Sequence, residues 1–437
     1  MYKETTEKET TKKLLEFIRL SPDCFHAVKT ITDTLKNEGF EELFEHESQS
    51  LKNGGKYFVT RNASSVIAFC VPEGEYTGLM ITSSHSDSPT YKIKPEPVVS
   101  DGMYARLNVE GYGGMNAASW LDRPLGVSGR VAVKTKNGAE LRLVNIDEDM
   151  LVIPSLAIHM NRKLNDGYAY NAAKDMLPLS GTDPDAFMKR VADAAGARAE
   201  DIISHDLFLY NRTRGSIWGA ENEYFSSPRI DDLQCAYASL EAFISSKPTN
   251  ALKLLCVFDN EEVGSGTKQG AKSTFLPDTL LRINSALGYG AEKLCRASSS
   301  GFMVSADNGH AVHPNHPEFA DKTSRPVVNG GVLIKHNANQ RYTTDAVSDA
   351  IFKTICSRAG VPYQYYTNRS DIPGGSTLGN LANEKLSLNT VDIGAAQLAM
   401  HSAYETGGVK DTLYLVRAMT EFYSSEIDIS AGGFNIL

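Results

Sequence analysis

The hydrophobic and polar residues near the start of the chain alternate with the period of a helix. Apolar residues recur three and four positions apart over Thr10–Leu20 and again over Cys24–Glu38, and Gly39 stands where a helix C-cap is expected. Shorter apolar runs follow, over Ser64–Val71 and Leu79–Ser84, with turn-forming residues between them. The pattern predicts two helices followed by two strands.

The spacing of apolar and polar residues changes in the second quarter of the sequence. From Tyr91 to about Asn161 short segments alternate apolar and polar residues, as in Arg130–Lys134, and turn signals separate them. Further on, Pro184–Ala195 has a helical pattern in which Asp183 is the expected N-cap and Pro184 the first helical residue. Ile202–Tyr210 predicts another strand. We therefore expect a β-rich insert in this part of the chain.

Strand and helix patterns alternate again beyond about Tyr224. Such alternation predicts an α/β fold in which a central mixed sheet is flanked by helices, and sites in such sheets lie at the carboxyl ends of strands. We divide the chain into an α/β domain formed by residues 1–90 and 224–437 and a β-rich domain formed by residues 91–223. The β-rich domain interrupts the α/β domain.

Composition narrows the class of protein without identifying it. At 437 residues the chain exceeds the size at which one core usually suffices. Its net charge is −9, without long blocks of one sign, which argues against nucleic acid and anionic membranes as partners. The start of the chain has no apolar signal segment and no stretch approaches the length of a membrane span, so we expect a cytoplasmic protein. Its six scattered cysteines predict buried thiols.

The most informative motif is a pair of glutamates after an apolar run. Leu254–Phe258 predicts a buried strand, and Asp259-Asn260-Glu261-Glu262-Val263-Gly264 follows it directly. Adjacent carboxylates at a buried strand end need a positive partner. Because neighbouring side chains on an extended backbone point in different directions, one glutamate can bind a metal while the other accepts a proton from water. The alternative is an acidic first turn of a helix, which is common.

Similar residues occur at four other apparent strand ends. His85 follows the run Leu79–Ser84, and Asp87, two residues on, is placed to orient its imidazole. The remaining candidates are Asp231 before the helical stretch Leu233–Ile244, Asp307 after Gly301–Ala306, and His401 near the C-terminus. A lone histidine or aspartate at such a place is more often a cap or a satisfied polar group. Together, two histidines, two aspartates and two glutamates suit a two-metal hydrolytic centre.

The chain resembles the metallo-aminopeptidases of the aspartyl aminopeptidase and vacuolar aminopeptidase type. The resemblance covers nearly the whole sequence and is carried by seven ordered blocks. They are His85-Ser86-Asp87-Ser88-Pro89, Ile153–His159, Pro228–Leu233, Asp259–Ser265, Ser305–Asn315, Ile334–Tyr342 and Gln397–Ser402.

The resemblance implies roles for these residues. Asp231 would bridge two divalent metals, His85 and Asp307 would complete one site, and Glu262 and His401 would complete the other. Glu261 would be the general base. The metals would be zinc, with manganese and cobalt as alternatives that the same ligands tolerate. Resemblance to two-metal aminopeptidases also suggests a cis peptide bond between Asp231 and Asp232.

The resemblance extends to the assembly and the substrate. The β-rich domain would form dimers that assemble into a closed tetrahedral dodecamer, in which His159 reaches the active site of a neighbouring subunit and enclosure limits substrates to short peptides. Taken alone, His159 would be expected to be structural. Lys335 and His310 are candidates for substrate contact. As single residues, Lys335 would be a solvated cation and His310 an ordinary loop residue.

Two other kinds of function remain open at this point. One is a non-catalytic scaffold or cargo-binding protein on the same fold, since one fold hosts many functions. The other is a deacylase or carboxypeptidase that uses the same two metals. The presence of every expected ligand and of Glu261 argues against the scaffold. The blocks around Asp259–Gly264 and His401 favour the aminopeptidase over the deacylase or carboxypeptidase. The sequence does not decide between an acidic and a neutral N-terminal residue as the preferred substrate.

Overall fold

The computed structural model describes residues 6–375, 377–430 and 432–437. In this part of the chain the helices are α1 (Glu7–Leu20), α2 (Cys24–Asn37), α3 (Ala186–Ala195), α4 (Ile230–Ser245), α5 (Phe275–Ala286), α6 (Ala291–Ser299), α7 (Ala346–Ala359), α8 (Leu378–Asn383) and α9 (Asp411–Ser424). None of these helices is long and apolar enough to cross a membrane.

The strands fall into two groups along the chain. The first group is β1 (Glu41–Leu43), β2 (Lys56–Arg61), β3 (Ser65–Cys70), β4 (Leu79–His85), β5 (Thr90–Ser100), β6 (Ala105–Tyr112), β7 (Leu125–Lys134), β8 (Ala139–Leu151), β9 (Leu179–Gly181), β10 (Ile202–Asn211) and β11 (Ser216–Trp218). The second is β12 (Tyr224–Ser227), β13 (Leu252–Phe258), β14 (Phe302–Ala306), β15 (Gly309–His310), β16 (Val332–Lys335), β17 (Tyr363–Tyr366), β18 (Asn389–Gly394), β19 (Ala396–Leu398), β20 (Glu405–Gly408), β21 (Ile427–Ser430) and β22 (Gly433–Ile436).

A nine-stranded mixed sheet forms the centre of the molecule, with the order β1-β2-β3-β13-β4-β14-β18-β16-β17. Its four middle strands, β13, β4, β14 and β18, are mutually parallel. Their residues are buried on both faces, which explains why apolar and small residues predominate in them. One face packs on α1, α2, α4, α7 and α9, and the other packs on α5, α6 and α8. The predicted α/β sheet with helices on both faces is confirmed.

A second sheet of six antiparallel strands, with the order β8-β7-β10-β5-β6-β9, lies within residues 90–211. Helix α3 packs against it, and Phe187 and Val191 enter a separate hydrophobic core. We call this sheet with α3 the insert. Strand β11 follows it in the chain but pairs with β12 in a third, five-stranded sheet of order β11-β12-β20-β19-β15. The division at residues 91–223 stays a prediction.

Most sequence-predicted elements shift by only a few residues, but two local predictions are wrong. Helix α3 begins at Ala186 with Asp185 as its N-cap, because the carboxylate of Asp183 accepts the N–H of Asp185 at 2.9 Å and forms a turn before the helix. All six cysteines are free, yet Cys295 is exposed and Cys70 is only half-buried, so they are not all buried thiols.

Candidate metal centre

The ends of the parallel strands bring three of the predicted segments together. His85 is the last residue of β4 and pairs in register with Phe258, the last residue of β13. The glutamates Glu261 and Glu262 follow β13 in a short 3₁₀ turn. Asp307 comes directly after β14, on the other side of β4. Because parallel strands end at one edge of the sheet, these side chains meet there.

The third sheet supplies the other two residues. Strand β12 leads into α4, where Asp231 and Asp232 interrupt the helical backbone, and their peptide bond is cis, as predicted. His401 follows β19 with a positive φ of 62°. Both segments lie against the edge where the parallel strands end, so five separate parts of the chain form the site.

The side chains form three groups, of which two share Asp231 and the third consists of His85, Glu261 and Glu262. Ligand atoms of His85, Asp231, Asp232 and Asp307 all lie within 4.8 Å of one another, and so do those of Asp231, Glu262 and His401. Within these groups, Asp231 Oδ1 lies 3.5 Å from His85 Nε2. Asp231 Oδ2 lies 3.3 Å from His401 Nε2. One carboxylate therefore stands between the two histidines.

The cluster lacks protein donors for some of its buried oxygens. The side chains of His85, Asp231 and Glu262 are 1%, 4% and 4% exposed. Among the described residues, none hydrogen bonds to Asp231 Oδ1, Asp232 Oδ1 or Glu262 Oε1. Buried carboxylate oxygens without donors are costly, and a cation satisfies them. Imidazole nitrogens beside carboxylate oxygens are ligands that zinc accepts, so the donor set fits divalent metals.

The ionisation of the cluster leads to the same conclusion. Burial, with the added charge of Asp231, raises the pKa of Glu262. Burial also raises the pKa of Asp307 to about 6 and that of Glu261 to about 8. Burial opposes the charged form of His85, but the carboxylates of Asp232 and Asp231 outweigh it and raise the pKa of His85. Without a cation, these neighbouring carboxylates therefore tend to be protonated, and a bound cation would keep them ionised.

The sequence predicted that Asp87 orients His85 through its carboxylate, and the structure adds a closer contact through the backbone of Asp87. His85 Nδ1 lies 3.0 Å from the backbone carbonyl oxygen of Asp87 and 3.4 Å from its carboxylate. The carboxylate is also taken up by the backbone N–H groups of Glu261 and Glu262, each at 3.2 Å, and by the hydroxyl of Tyr112 at 2.7 Å. Asp87 therefore holds the turn that carries both glutamates.

Sequence reasoning missed Glu405, which is 2% exposed and lies on β20. Its carboxylate accepts the backbone N–H of His401 at 2.8 Å and that of Asp231 at 3.1 Å. Glu405 thereby joins the segment that carries Asp231 to the segment that carries His401. The only sequence signal is its position four residues after His401, just beyond the block Gln397–Ser402.

The candidate substrate residues lie beside the cluster. Lys335, at the end of β16, is 2% exposed, so it is not a solvated cation. Its ammonium donates to the carbonyl oxygen of Asn308 at 2.8 Å and lies 3.7 Å from Asp307 Oδ2. Burial opposes its charge, but Asp307 outweighs this and raises the pKa of Lys335. His310 is exposed, with its ring 6.3 Å from that of Tyr366.

His159 is the one predicted site residue that a single chain does not bring to the cluster. It lies in an exposed turn of the insert, next to Ile158 and Met160, which are 42% and 78% exposed. A role for His159 at an active site therefore requires a second subunit.

Comparison with known proteins agrees with this geometry. Residues 17–423 match the model of a family described as aminopeptidase I zinc metalloprotease (M18). The "Probable M18 family aminopeptidase 2" of Clostridium acetobutylicum is 46% identical over 429 residues, which cover 96% of this chain and 99% of that protein. Its counterpart from Clostridium novyi is 46% identical over 423 residues, which cover 94% of this chain and 98% of that protein.

Solved structures share the fold. The cryo-EM structure of an Ape4 and Nbr1 complex has a TM-score of 0.93 at 33% identity, covering 96% of this chain and 86% of that one. The S. cerevisiae mApe1 dodecamer has a TM-score of 0.84 at 28% identity and covers 95% of this chain and 96% of that one.

Proposed function

The chain belongs to the aminopeptidase I zinc metalloprotease (M18) family and is a metallo-aminopeptidase, and we propose that it removes acidic N-terminal residues from short peptides with two divalent ions per subunit. The observation that carries this proposal is the pair of ligand groups that share Asp231. The presence of the complete ligand set together with Glu261 argues against a scaffold on the same fold.

The ligand groups suggest how the ions would be held. His85 and Asp307 would hold one ion, Glu262 and His401 the other, and Asp231 would bridge them, as the proximity of these atoms supports. Zinc suits this mixture of imidazole and carboxylate, and manganese or cobalt would be tolerated. Asp232 lies in the first group but its Oδ2 also accepts the backbone N–H of His85 at 3.1 Å, which supports a positioning role.

Hydrolysis would then proceed through the residues around the cluster. When bound, two divalent ions polarise the scissile carbonyl and lower the pKa of a water molecule. Glu261 would accept a proton from that water and deliver it to the nitrogen of the leaving amine. Its raised pKa of about 8 reflects burial, and the positive charge of bound cations would lower it toward the range of a useful base. The carboxylate of Asp87 would keep Glu261 in place by accepting the backbone N–H of Glu261.

An acidic preference is supported by Lys335, a buried cation beside Asp307 that can meet a substrate carboxylate. Among aminoacyl p-nitroanilides of Asp, Glu and Leu, we expect the two acidic substrates to be cleaved with the highest kcat/KM by enzyme reloaded with metal after chelation. Lys335→Met should lower the Asp-to-Leu ratio of kcat/KM by about tenfold, because a buried ion pair to the substrate is lost.

Lys253→Met is the matched control for this substitution. Lys253 is also buried, at 4% exposure, but lies on β13 with its ammonium donating to Ser246 Oγ at 3.2 Å. Its substitution should leave the Asp-to-Leu ratio unchanged. An unchanged ratio in the Lys335 variant would exclude Lys335 from substrate selection, and a wild-type preference for Leu would exclude the acidic specificity.

We further propose that the insert forms dimers which assemble into a tetrahedral dodecamer. The likeness to a dodecameric mApe1 supports this, as do the exposed apolar residues of the insert, among them Leu141, Met160 and Ile203. The division into residues 1–90, 91–223 and 224–437 belongs to the same proposal. Six free cysteines suit the reducing cytoplasm, where we propose that the enzyme works.

His159 would complete the site of a neighbouring subunit in such an assembly. His159→Ala should lower kcat by roughly 10²-fold, the scale for one lost oxyanion donor, while metal content and oligomeric mass stay unchanged. Kinetics, metal analysis and native mass spectrometry measure the three quantities.

Mixing variants tests whether the site is shared. His159→Ala and Glu261→Gln affect different composite sites, so co-assembled mixtures should regain activity that neither parent shows. Mixed oligomers, verified by mass, that remain as inactive as their parents would contradict a shared site.

A further inference from the structure

The insert reaches the metal centre through Tyr112, the last residue of β6. Tyr112 pairs with Thr90 across the insert sheet, and its ring packs edge-on against Phe208 with 5.8 Å between centroids. Its hydroxyl donates to Asp87 Oδ2 at 2.7 Å and accepts from the side-chain amide of Asn260 at 2.8 Å. A side chain anchored in the insert thus ends between two residues that follow strands β4 and β13 of the central sheet.

Both partners of the hydroxyl control the turn that carries Glu261. Asp87 accepts the backbone N–H groups of Glu261 and Glu262 in addition to the tyrosine hydroxyl. Asn260 precedes the turn in a left-handed conformation, with φ of 63°. Its amide oxygen accepts from Thr267 Oγ1 at 2.7 Å and Gln269 Nε2 at 2.9 Å. The hydroxyl of Tyr112 therefore links Asn260, which precedes the turn, to the Asp87 carboxylate, which accepts the backbone N–H groups within the turn.

The turn also has backbone hydrogen bonds of its own, from Val263 N–H to Asn260 O at 3.3 Å and from Ser265 N–H to Asn260 O at 2.7 Å, but these do not reach Asp87. Residues Glu261–Val263 form one 3₁₀ turn without a side-chain cap, and Gly264 donates back to Glu261 O at 2.9 Å. Burial, with the charge of Asp87, raises the pKa of Tyr112, so its hydroxyl remains a proton donor at any working pH. Proton transfer requires a base within hydrogen-bond reach, and small displacements of a catalytic group are costly in rate.

The residues after Tyr112 make further contacts with the centre. Gly114 accepts a hydrogen bond from His401 Nδ1 at 2.6 Å through its carbonyl oxygen. Gly113, with φ of 75°, passes so near that a Cβ there would lie 3.1 Å from Glu262 Cβ. The segment Tyr112–Gly114 of the insert thus contacts both the turn Glu261–Val263 and the predicted ligand His401 of the same chain.

We propose that Tyr112 is a positioning residue for hydrolysis, which holds Glu261 for proton transfer by bridging Asp87 and Asn260. The inference rests on the proposed role of Glu261 as the base. It assigns the insert a part in catalysis within its own subunit, separate from any part in assembly.

The test is Tyr112→Phe, which removes the bridging hydroxyl and keeps the ring. We expect kcat to fall about 10- to 100-fold, with KM within twofold of wild type and with unchanged metal content, melting temperature and oligomeric mass. Asn260→Gly, which removes the amide but permits the left-handed backbone, should lower kcat in the same way, and combining it with Tyr112→Phe should add little.

Tyr210→Phe is the matched control. Tyr210 lies on β10 of the same sheet, and its hydroxyl donates to Asn145 Oδ1 at 2.9 Å within the insert. This variant should keep the wild-type kcat, so a loss of kcat equal to that of Tyr112→Phe would indicate a general effect on the insert and overturn the proposal.

A double variant separates this inference from the proposed function. If Tyr112 acts through Glu261, Tyr112→Phe should lower kcat no further in a Glu261→Gln background. Full additivity, a kcat within twofold of wild type in the single variant, or a change confined to KM would each overturn the role of Tyr112. A Glu261→Gln variant with near wild-type kcat would instead contradict the proposed base itself.

Discussion

Glu261→Gln is expected to lower kcat by roughly 10³-fold while the metal content stays at the wild-type value. The amide has the shape of the carboxylate but cannot accept a proton, and general acid–base catalysis contributes 10²- to 10⁴-fold in enzymes. Glu262, the adjacent ligand candidate, is unchanged, so the ions should remain. Steady-state kinetics and elemental analysis of the same preparation measure both quantities.

The matched control is Glu241→Gln, another glutamate-to-glutamine change at a half-buried position. Glu241 lies on α4, where burial also raises its pKa, but it is outside the metal cluster. Its kcat should equal that of wild type. Near wild-type turnover in the Glu261 variant would show that another group accepts the proton, and a loss of metal would show that Glu261 is itself a ligand.

Asp231→Ala is expected to lower the content of both ions and to abolish activity. Its carboxylate lies between His85 and His401, so both sites lose a ligand at once. His401→Ala removes a ligand from one site only and should retain about one ion per chain. Elemental analysis after dialysis against a defined low concentration of zinc distinguishes the two variants.

Chelated wild-type enzyme is the reference for folding in this experiment. The Asp231 variant should match it in circular dichroism spectrum, because the substitution shortens a side chain without changing the core. Full occupancy of both sites in that variant would exclude the bridging role.

The sequence predicted those parts of the site that depend on local pattern. His85, Asp307 and the two glutamates each follow an apolar run directly, and the carboxyl ends of parallel strands meet at one edge. Asp231 and His401 follow short strands of a different sheet, so the sequence grouped them with the others only by residue type and place at apparent strand ends, and the resemblance assigned their separate roles. The strands themselves were predicted within one or two residues because these buried parallel strands are rich in apolar and small residues.

Contacts between distant segments could not be predicted in this way. The carboxylate of Asp87 accepts hydrogen bonds from Tyr112 and from the backbone of Glu261 because the insert lies against the central sheet. No local sequence pattern predicts that contact. The same holds for Glu405, whose two backbone donors come from segments on either side of the site. The prediction of where α3 begins was wrong for a local reason, since Asp183 forms a turn before the helix and does not cap it.

The strand order of the central sheet determines when this protein can acquire its metals during synthesis. Strands β3 and β4 are made early, but β13, which lies between them, emerges from the ribosome only after the entire insert. A nascent chain therefore carries unpaired apolar strand edges for a long interval, and such edges are prone to association and are substrates for chaperones. His401 and Glu405 emerge later still. If His401 is a ligand as proposed, metal loading would be completed only in a chain that has been synthesised past Glu405.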